Sequence, residues 1–213
     1  MKVTPIFPEY IFEFDYPDHE KYKNSLIESI RSQEHVSEPI KRREMFAKRK
    51  TGLIATHPDL HKEKLFISIR DFMHTCINQS MGYLGFKEQS KITSMWANLQ
   101  TKGASNFIHS HYNTYMTAVY YLYSSNGYAQ GTNFYNPNYL THSIITPPYD
   151  YMKEPKIVNT FASKFEEGKV IVFHGFMKHS TDNNLDDERM IIGINTMPTG
   201  DTNRDSHDRY SYV

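Results

Sequence analysis

The chain has 213 residues, with Lys+Arg 24 against Asp+Glu 24 and a formal charge of zero. That length supports one domain with a sizeable core, and the charge balance excludes the basic excess of a general nucleic-acid binder. A lone cysteine, Cys76, excludes an intramolecular disulfide and a cysteine-based zinc site, and fits a reducing cytosol.

The N-terminus "MKVTPIFPEYIFEFDYPDHEK" is broken by Pro5, Pro8, Glu9, Glu13 and Asp15, so neither a signal peptide nor a membrane span is expected. Between its prolines, "PIFPEYIFEFDYP" alternates with period two and predicts an edge strand. "PDHEKYKNSLIESIRSQ" predicts a helix. Asp18 stands as N-cap, and Tyr22, Leu26, Ile27 and Ile30 form an apolar stripe. The basic run "KRREMFAKRK", Lys41 to Lys50, reads as a solvated helix face.

"HPDLHKEKLFISIRDFMHTCINQSMGYLGF" predicts a second helix with Leu65, Ile69, Phe72, Met73, Cys76 and Ile77 on its inner face, ending near Gly82 and Gly85. His61 and His74 fall on it as surface or hydrogen-bonded residues, and Cys76 as a small core residue.

From about Ile92 the pattern turns to short strands: Ile92–Gln100, Thr117–Tyr123, Thr132–Tyr135, Ile157–Phe161, Val170–His174 and Met190–Thr196. Polar turns such as "SSNGYAQG" and "DNNLDD" separate them, which favours an antiparallel sandwich or jelly roll over a parallel sheet. The irregular "NPNYLTHSIITPPYDYMKEP" is long enough for a functional loop. The expected organisation is a single domain. Residues 1–90 give helical support, 91–198 the β core and 199–213 a polar tail. With 16 Tyr and 13 Phe, the core should have a large aromatic share.

Two segments carry chemistry. In "HSHYN", alternation along an extended chain points His109 and His111 to one side, where two imidazoles can chelate a metal. In "HGFMKHSTDNNLDDERMIIGIN", His179 and Arg189 are ten apart, a spacing that lets a hairpin return Arg189 beside His179. Imidazole suits Fe(II), and a nearby guanidinium offers a planar fork to a carboxylate. A short dicarboxylate could chelate the metal at one end and meet Arg189 at the other. Trp96 reads as core, His142 and His174 as structural histidines, Asp182 as a turn former, and Asn195 as a partner for a buried backbone group.

The order of these segments resembles the 2-oxoglutarate/Fe(II)-dependent oxygenases, and more closely an oxygenase family found in marine bacteria and cyanophages. The motifs are "PIFP" from Pro5, "MWAN" at Met95–Asn98, "HSHYNTYMTAVYYL", "GTNFYNP" from Gly131, and "HSTDNNLDDERMIIGIN". The resemblance covers nearly the whole chain. It implies a mainly β protein with a double-stranded β-helix (cupin/jelly-roll) core and N-terminal helices. It implies Fe(II), 2-oxoglutarate and O2, with succinate and CO2 as co-products and hydroxylation as the reaction class. By position, His109 and His179 become metal ligands and Arg189 the anchor for 2-oxoglutarate. Asn98 and Tyr121 could bond 2-oxoglutarate or tune a ligand, and only one of Tyr120 and Tyr121 can face the site.

The superfamily's usual triad is two histidines and one carboxylate. This chain has His111 two places after His109. His111 is then a third ligand, or supports a two-histidine site, or leaves Asn113 to complete the set. The alternatives to a 2-oxoglutarate enzyme are a three-histidine cupin dioxygenase and a non-enzymatic binding module. The expected partner is a small-molecule or peptide substrate, with no nucleic acid or membrane. An exposed edge strand would support a homodimer. The expected location is the cytoplasm, the host's if the chain is phage-encoded.

Overall fold

The computed structural model describes residues 2, 8–33, 53–87, 89–137 and 159–200. The basic run Lys41–Lys50, most of "PIFP", the irregular segment from residue 138, His142 and the tail beyond 200 lie outside them.

Among the described residues, ten strands form two antiparallel sheets. The large one has the order β1-β8-β5-β10-β3-β2, built from β1 (Phe12–Asp15), β2 (Leu53–Ala55), β3 (Ser90–Thr101), β5 (Met116–Ser124), β8 (Lys169–His174) and β10 (Glu188–Pro198). The small one has the order β4-β9-β6-β7, from β4 (Asn106–His109), β6 (Asn133–Tyr135), β7 (Thr160–Ala162) and β9 (His179–Thr181). From β3 to β10 the chain passes repeatedly between the two sheets, and this winding is the expected double-stranded β-helix. β1 is an edge strand, as its prolines foretold.

Alternation sorts the large sheet's side chains. Ala118, Tyr120, Leu122, Val170, Val172, Met190, Ile192 and Ile194 face outward and pack under the helices. Val119, Tyr121, Ile171, Phe173 and Ile191 face inward and meet Phe134 of β6. This second cluster is the floor of the barrel, and the site is built above it.

Helix α1 (His19–Ser32) buries Leu26, Ile27 and Ile30. Asp18 precedes it but makes no side-chain capping bond. The second helix departs from expectation. α2 runs Ile67–Tyr83, and the stretch before it forms two 3-10 turns, Leu60–Lys62 and Lys64–Phe66. Glu63 between them is extended, at φ −85° and ψ 134°, so the α-helical phase begins only at Ile67. Leu65, out of that phase, is 37% exposed instead of facing inward. Ile69, Met73, Cys76 and Ile77 are buried, and Gly85 at φ +89° follows the helix end. Each fully buried large side chain here contributes about 1.5–3 kcal/mol. No helix among the described residues is long and apolar enough to cross a membrane.

The strand reading needs four corrections. β2, β4 and β9 were not read as strands, because each has only three or four residues and is held by its neighbours. Of the strand expected at Ile157–Phe161, Ile157 and Val158 lie outside the described residues, and β7 runs one residue past its expected end, to Ala162. β10 begins at Glu188, so Arg189 lies within the strand. His179 and Arg189 are not joined by a hairpin. β9 pairs with β4 and β6, β10 pairs with β3 and β5, and the segment between them crosses from one sheet to the other.

Candidate metal centre and anion site

β4 and β9 pair antiparallel with His109 opposite His179. His111 follows in the turn, its backbone N–H donating to the Gly175 carbonyl at 2.7 Å. This arrangement gathers three imidazoles. The ring centroids are 4.3 Å apart for His109–His179, 4.9 Å for His111–His179 and 5.3 Å for His109–His111. One ligand atom from each lies within 4.8 Å of the others. Ligands at about 2.1 Å from one ion stand about 3 Å apart, so closing on a metal takes at most about 1 Å of movement from each ring.

Each Nδ1 is already engaged. His109 Nδ1 is 2.7 Å from the Phe107 carbonyl and His179 Nδ1 is 2.8 Å from the Met177 carbonyl. His111 Nδ1 is 2.8 Å from Asn195 Oδ1. Burial shifts two of the rings. His179, 5% exposed, is pushed down to about 3 by loss of solvent, with His109 adding to the shift. His111 is lowered by the same desolvation, partly offset by its bond to Asn195. Both are neutral at pH 7, the state a metal requires. His109 is exposed and forms the open side of the cluster.

The other candidates sort clearly. Asn113 is exposed in the turn at φ 52°, the left-handed conformation asparagine tolerates. Asp182 is exposed in the segment after β9. His174 contacts Tyr115 and Phe176, outside the cluster. His61 sits in a 3-10 turn, and His74 Nε2 meets the Ser90 carbonyl at 2.9 Å. Cys76 is buried, and burial pushes its thiol up to about 12.

Trp96 is not core. It is half-buried on the inward face of β3, opposite Gly193, with its ring 5.6 Å from His111 at an interplanar angle of 64°. Asn195 also differs from expectation: its side chain holds a candidate ligand and not a backbone group.

Arg189 lies on the same inward face, opposite Gln100 of β3 and Ser124 of β5. It is 3% exposed. Nη1 donates to Gln100 Oε1, and the guanidinium sits 5.1 Å over the Phe165 ring. Its Nε has no hydrogen-bond partner among the described residues. Burial pushes the guanidinium down to about 10, with Tyr121 and Asp186 pulling the other way, so it is charged at neutral pH. Gln100 Nε2 continues to Thr181 Oγ1 at 3.3 Å, linking Arg189 to the strand that carries His179. Gln100 was missed because a strand glutamine carries no motif signal. Its register opposite Arg189 identifies it.

Tyr121 faces the barrel interior and Tyr120 faces the helices. The Tyr121 hydroxyl contacts Thr132 Oγ1 at 3.0 Å and Ser163 Oγ at 2.7 Å, and accepts the Thr132 N–H at 3.1 Å. Its ring stacks on Phe165 at 4.7 Å. Asn98 shares the inward face, between Trp96 and Gln100 in the β3 alternation.

Residues 94–195, the span that holds the three clustered histidines, Trp96, Asn98, Gln100, Tyr121, Arg189 and Asn195, match the family model described as "Putative 2OG-Fe(II) oxygenase". Solved structures share the fold. HygX from Streptomyces hygroscopicus, with nickel and 2-oxoglutarate bound, aligns at 10% identity over 90% of this chain and 84% of that chain, TM-score 0.59. A prolyl-4-hydroxylase from Pseudomonas putida aligns at 15% identity over 90% and 94%, TM-score 0.54. The epimerase SnoN from nogalamycin biosynthesis aligns at 13% identity over 89% and 78%, TM-score 0.60. At these identities the likeness is one of fold. No curated protein matches the chain in sequence.

Proposed function

We propose that the chain is a 2-oxoglutarate/Fe(II)-dependent oxygenase, the family whose model residues 94–195 match, that His109, His111 and His179 hold its iron, and that Arg189 anchors 2-oxoglutarate. The donor set fits the metal: three neutral nitrogens suit Fe(II) and leave positions open on an octahedral ion. With iron, 2-oxoglutarate and O2 bound, the centre supplies oxidation of a substrate coupled to decarboxylation of 2-oxoglutarate to succinate. The residues of the chain bind and orient. Arg189 meets the far carboxylate, Gln100 holds its Nη1, and Phe165 covers its face. Asn98 shares the inward face of β3 with Trp96 and Gln100, and Tyr121 belongs to the floor of the barrel beneath them. Trp96 and the exposed His109 border the space left for a substrate.

The observation that carries this reading is Arg189. A charged guanidinium whose Nε has no partner among the described residues is costly at 3% exposure unless an anion completes it. A centre of three neutral imidazoles also retains the full charge of its metal, which favours a dianionic co-substrate. The reaction class we assign is hydroxylation of a small molecule or peptide. The P. putida neighbour is a prolyl-4-hydroxylase, which supports that class by analogy of fold.

The test is anaerobic. Protein loaded with Fe(II) should develop a weak visible charge-transfer band on addition of 2-oxoglutarate, and Arg189→Ala should need a higher concentration for the same band. Bound iron with no band would point to a three-histidine dioxygenase that does not use 2-oxoglutarate. No bound iron would point to a binding module.

A further inference from the structure

The three imidazoles are not held alike. His109 and His179 each face a backbone carbonyl through Nδ1. A carbonyl can only accept, so both rings carry hydrogen on Nδ1 and leave Nε2 bare for a metal. His111 faces the side-chain amide of Asn195. An amide has two ends. With Oδ1 toward the ring, Nδ1 donates and Nε2 is a ligand. With the NH2 group toward the ring, Nδ1 accepts, Nε2 carries the hydrogen and no metal can bind there.

The fold sets Asn195 for this task. It occupies the inward face of β10, opposite Thr117, and the β10–β3 register shifts between Asn195 and Thr196. Such irregularities re-aim a side chain beside a site. The Asn195 carbonyl accepts from Thr93 Oγ1 at 3.1 Å, which fixes the backbone at that point. The structure has Oδ1 on His111 at 2.8 Å. We propose that Asn195 is the positioning residue that makes His111 a metal ligand, by accepting the Nδ1 hydrogen and holding the ring toward His109 and His179. This rests on the three-histidine reading above. It assigns to a neutral amide the orienting role often played by a carboxylate behind a metal-bound histidine.

The experiment uses the full chain and Co(II) alone as probe, reading affinity by competition with a chelator and geometry from the visible Co(II) absorption. Asn195→Asp keeps an oxygen that can only accept, and should bind Co(II) within about threefold of wild type or more tightly. Asn195→Leu keeps the branched shape, with somewhat larger volume, and has no acceptor. It should bind roughly 10- to 100-fold more weakly, and its Co(II) spectrum should coincide with that of His111→Ala. Circular dichroism of the apo variants confirms their fold, and Asn195→Ala serves should the leucine not pack. A leucine or alanine variant with wild-type affinity and spectrum overturns this inference alone. So does an aspartate variant as weak as the leucine. Wild-type protein that takes up no Co(II) overturns the three-histidine reading beneath it as well.

Discussion

The ring of Trp96 fills the space where a side chain at Gly193 would begin: a Cβ there would lie 2.6 Å from Trp96 Cζ2. The two residues are cross-strand partners on β3 and β10. Absence of a side chain at 193 therefore lets the indole lie inside the barrel, edge to face with His111. Gly193→Ala should cost about 1–3 kcal/mol in urea unfolding, the usual penalty of overpacking. In a Trp96→Leu background the alanine should cost measurably less, because the clashing atoms are gone. Equal cost in both backgrounds would mean that the contact does not govern this position.

Trp96 is the sole tryptophan, and it stands 5.6 Å from His111. A paramagnetic ion held by the histidines should therefore quench most of the intrinsic tryptophan emission. Titration with Co(II) should give a saturable loss of fluorescence with one-site behaviour. His179→Ala should abolish the saturable phase. Quenching that persists unchanged in that variant would place the ion elsewhere.

How much of this was legible beforehand depends on what holds each residue in place. Local signals were reliable where alternation or helical periodicity is long, as in β5, where the constraint on Tyr120 and Tyr121 is met by Tyr121 facing inward. They failed for β4 and β9, which are four and three residues long and owe their extended form to pairing with each other. Alternation placed His109 and His111 on one side, and the family resemblance added His179, with His111 one of three ways to complete the set; the three do gather, although the supposed hairpin to Arg189 is a crossover between sheets. Trp96 was misread because bulk and aromaticity suggest core in any window. Only the bare face of Gly193 across the sheet shows which way the indole turns. Gln100 and the Asn195–His111 bond depend on cross-strand register and on a contact between residues 84 positions apart, neither of which periodicity encodes.

Arg189→Met should separate function from stability. Replacing a buried charge by an apolar side chain of similar volume is often neutral or stabilising. Here the loss of the Gln100 contact offsets part of that gain, so the apo protein should unfold within about 1 kcal/mol of wild type. Affinity for 2-oxoglutarate, read from the Fe(II) charge-transfer band, should fall roughly 10- to 100-fold, the worth of hydrogen bonds to a charged group. The thermal stabilisation that 2-oxoglutarate gives the metal-loaded wild type by mass action should be lost in the variant. A destabilisation of more than about 3 kcal/mol would instead identify Arg189 as a structural charge whose partner is already in the fold.

Acid should weaken the apo protein through its buried histidines. His19 is 7% exposed, with Nδ1 2.5 Å from the Tyr120 hydroxyl. Desolvation lowers its pKa from the ordinary 6.5, against the pull of Glu20 and Glu167 at 3.6 Å and 3.8 Å from Nε2. Desolvation wins, so these contacts are not ion pairs at pH 7. His111 is lowered for the same reason, and His179 to about 3. In each case the folded pKa lies below the unfolded one. The stability they contribute is therefore present above the unfolded value of about 6.5 and is lost as pH falls toward the folded values. Urea midpoints of metal-free protein should drop steadily from pH 7 to pH 5. His19→Gln, which cannot titrate, should show a shallower drop over that range, while keeping the shares of His111 and His179. A His19→Gln profile parallel to wild type would show that His19 takes up its proton without cost in the folded protein.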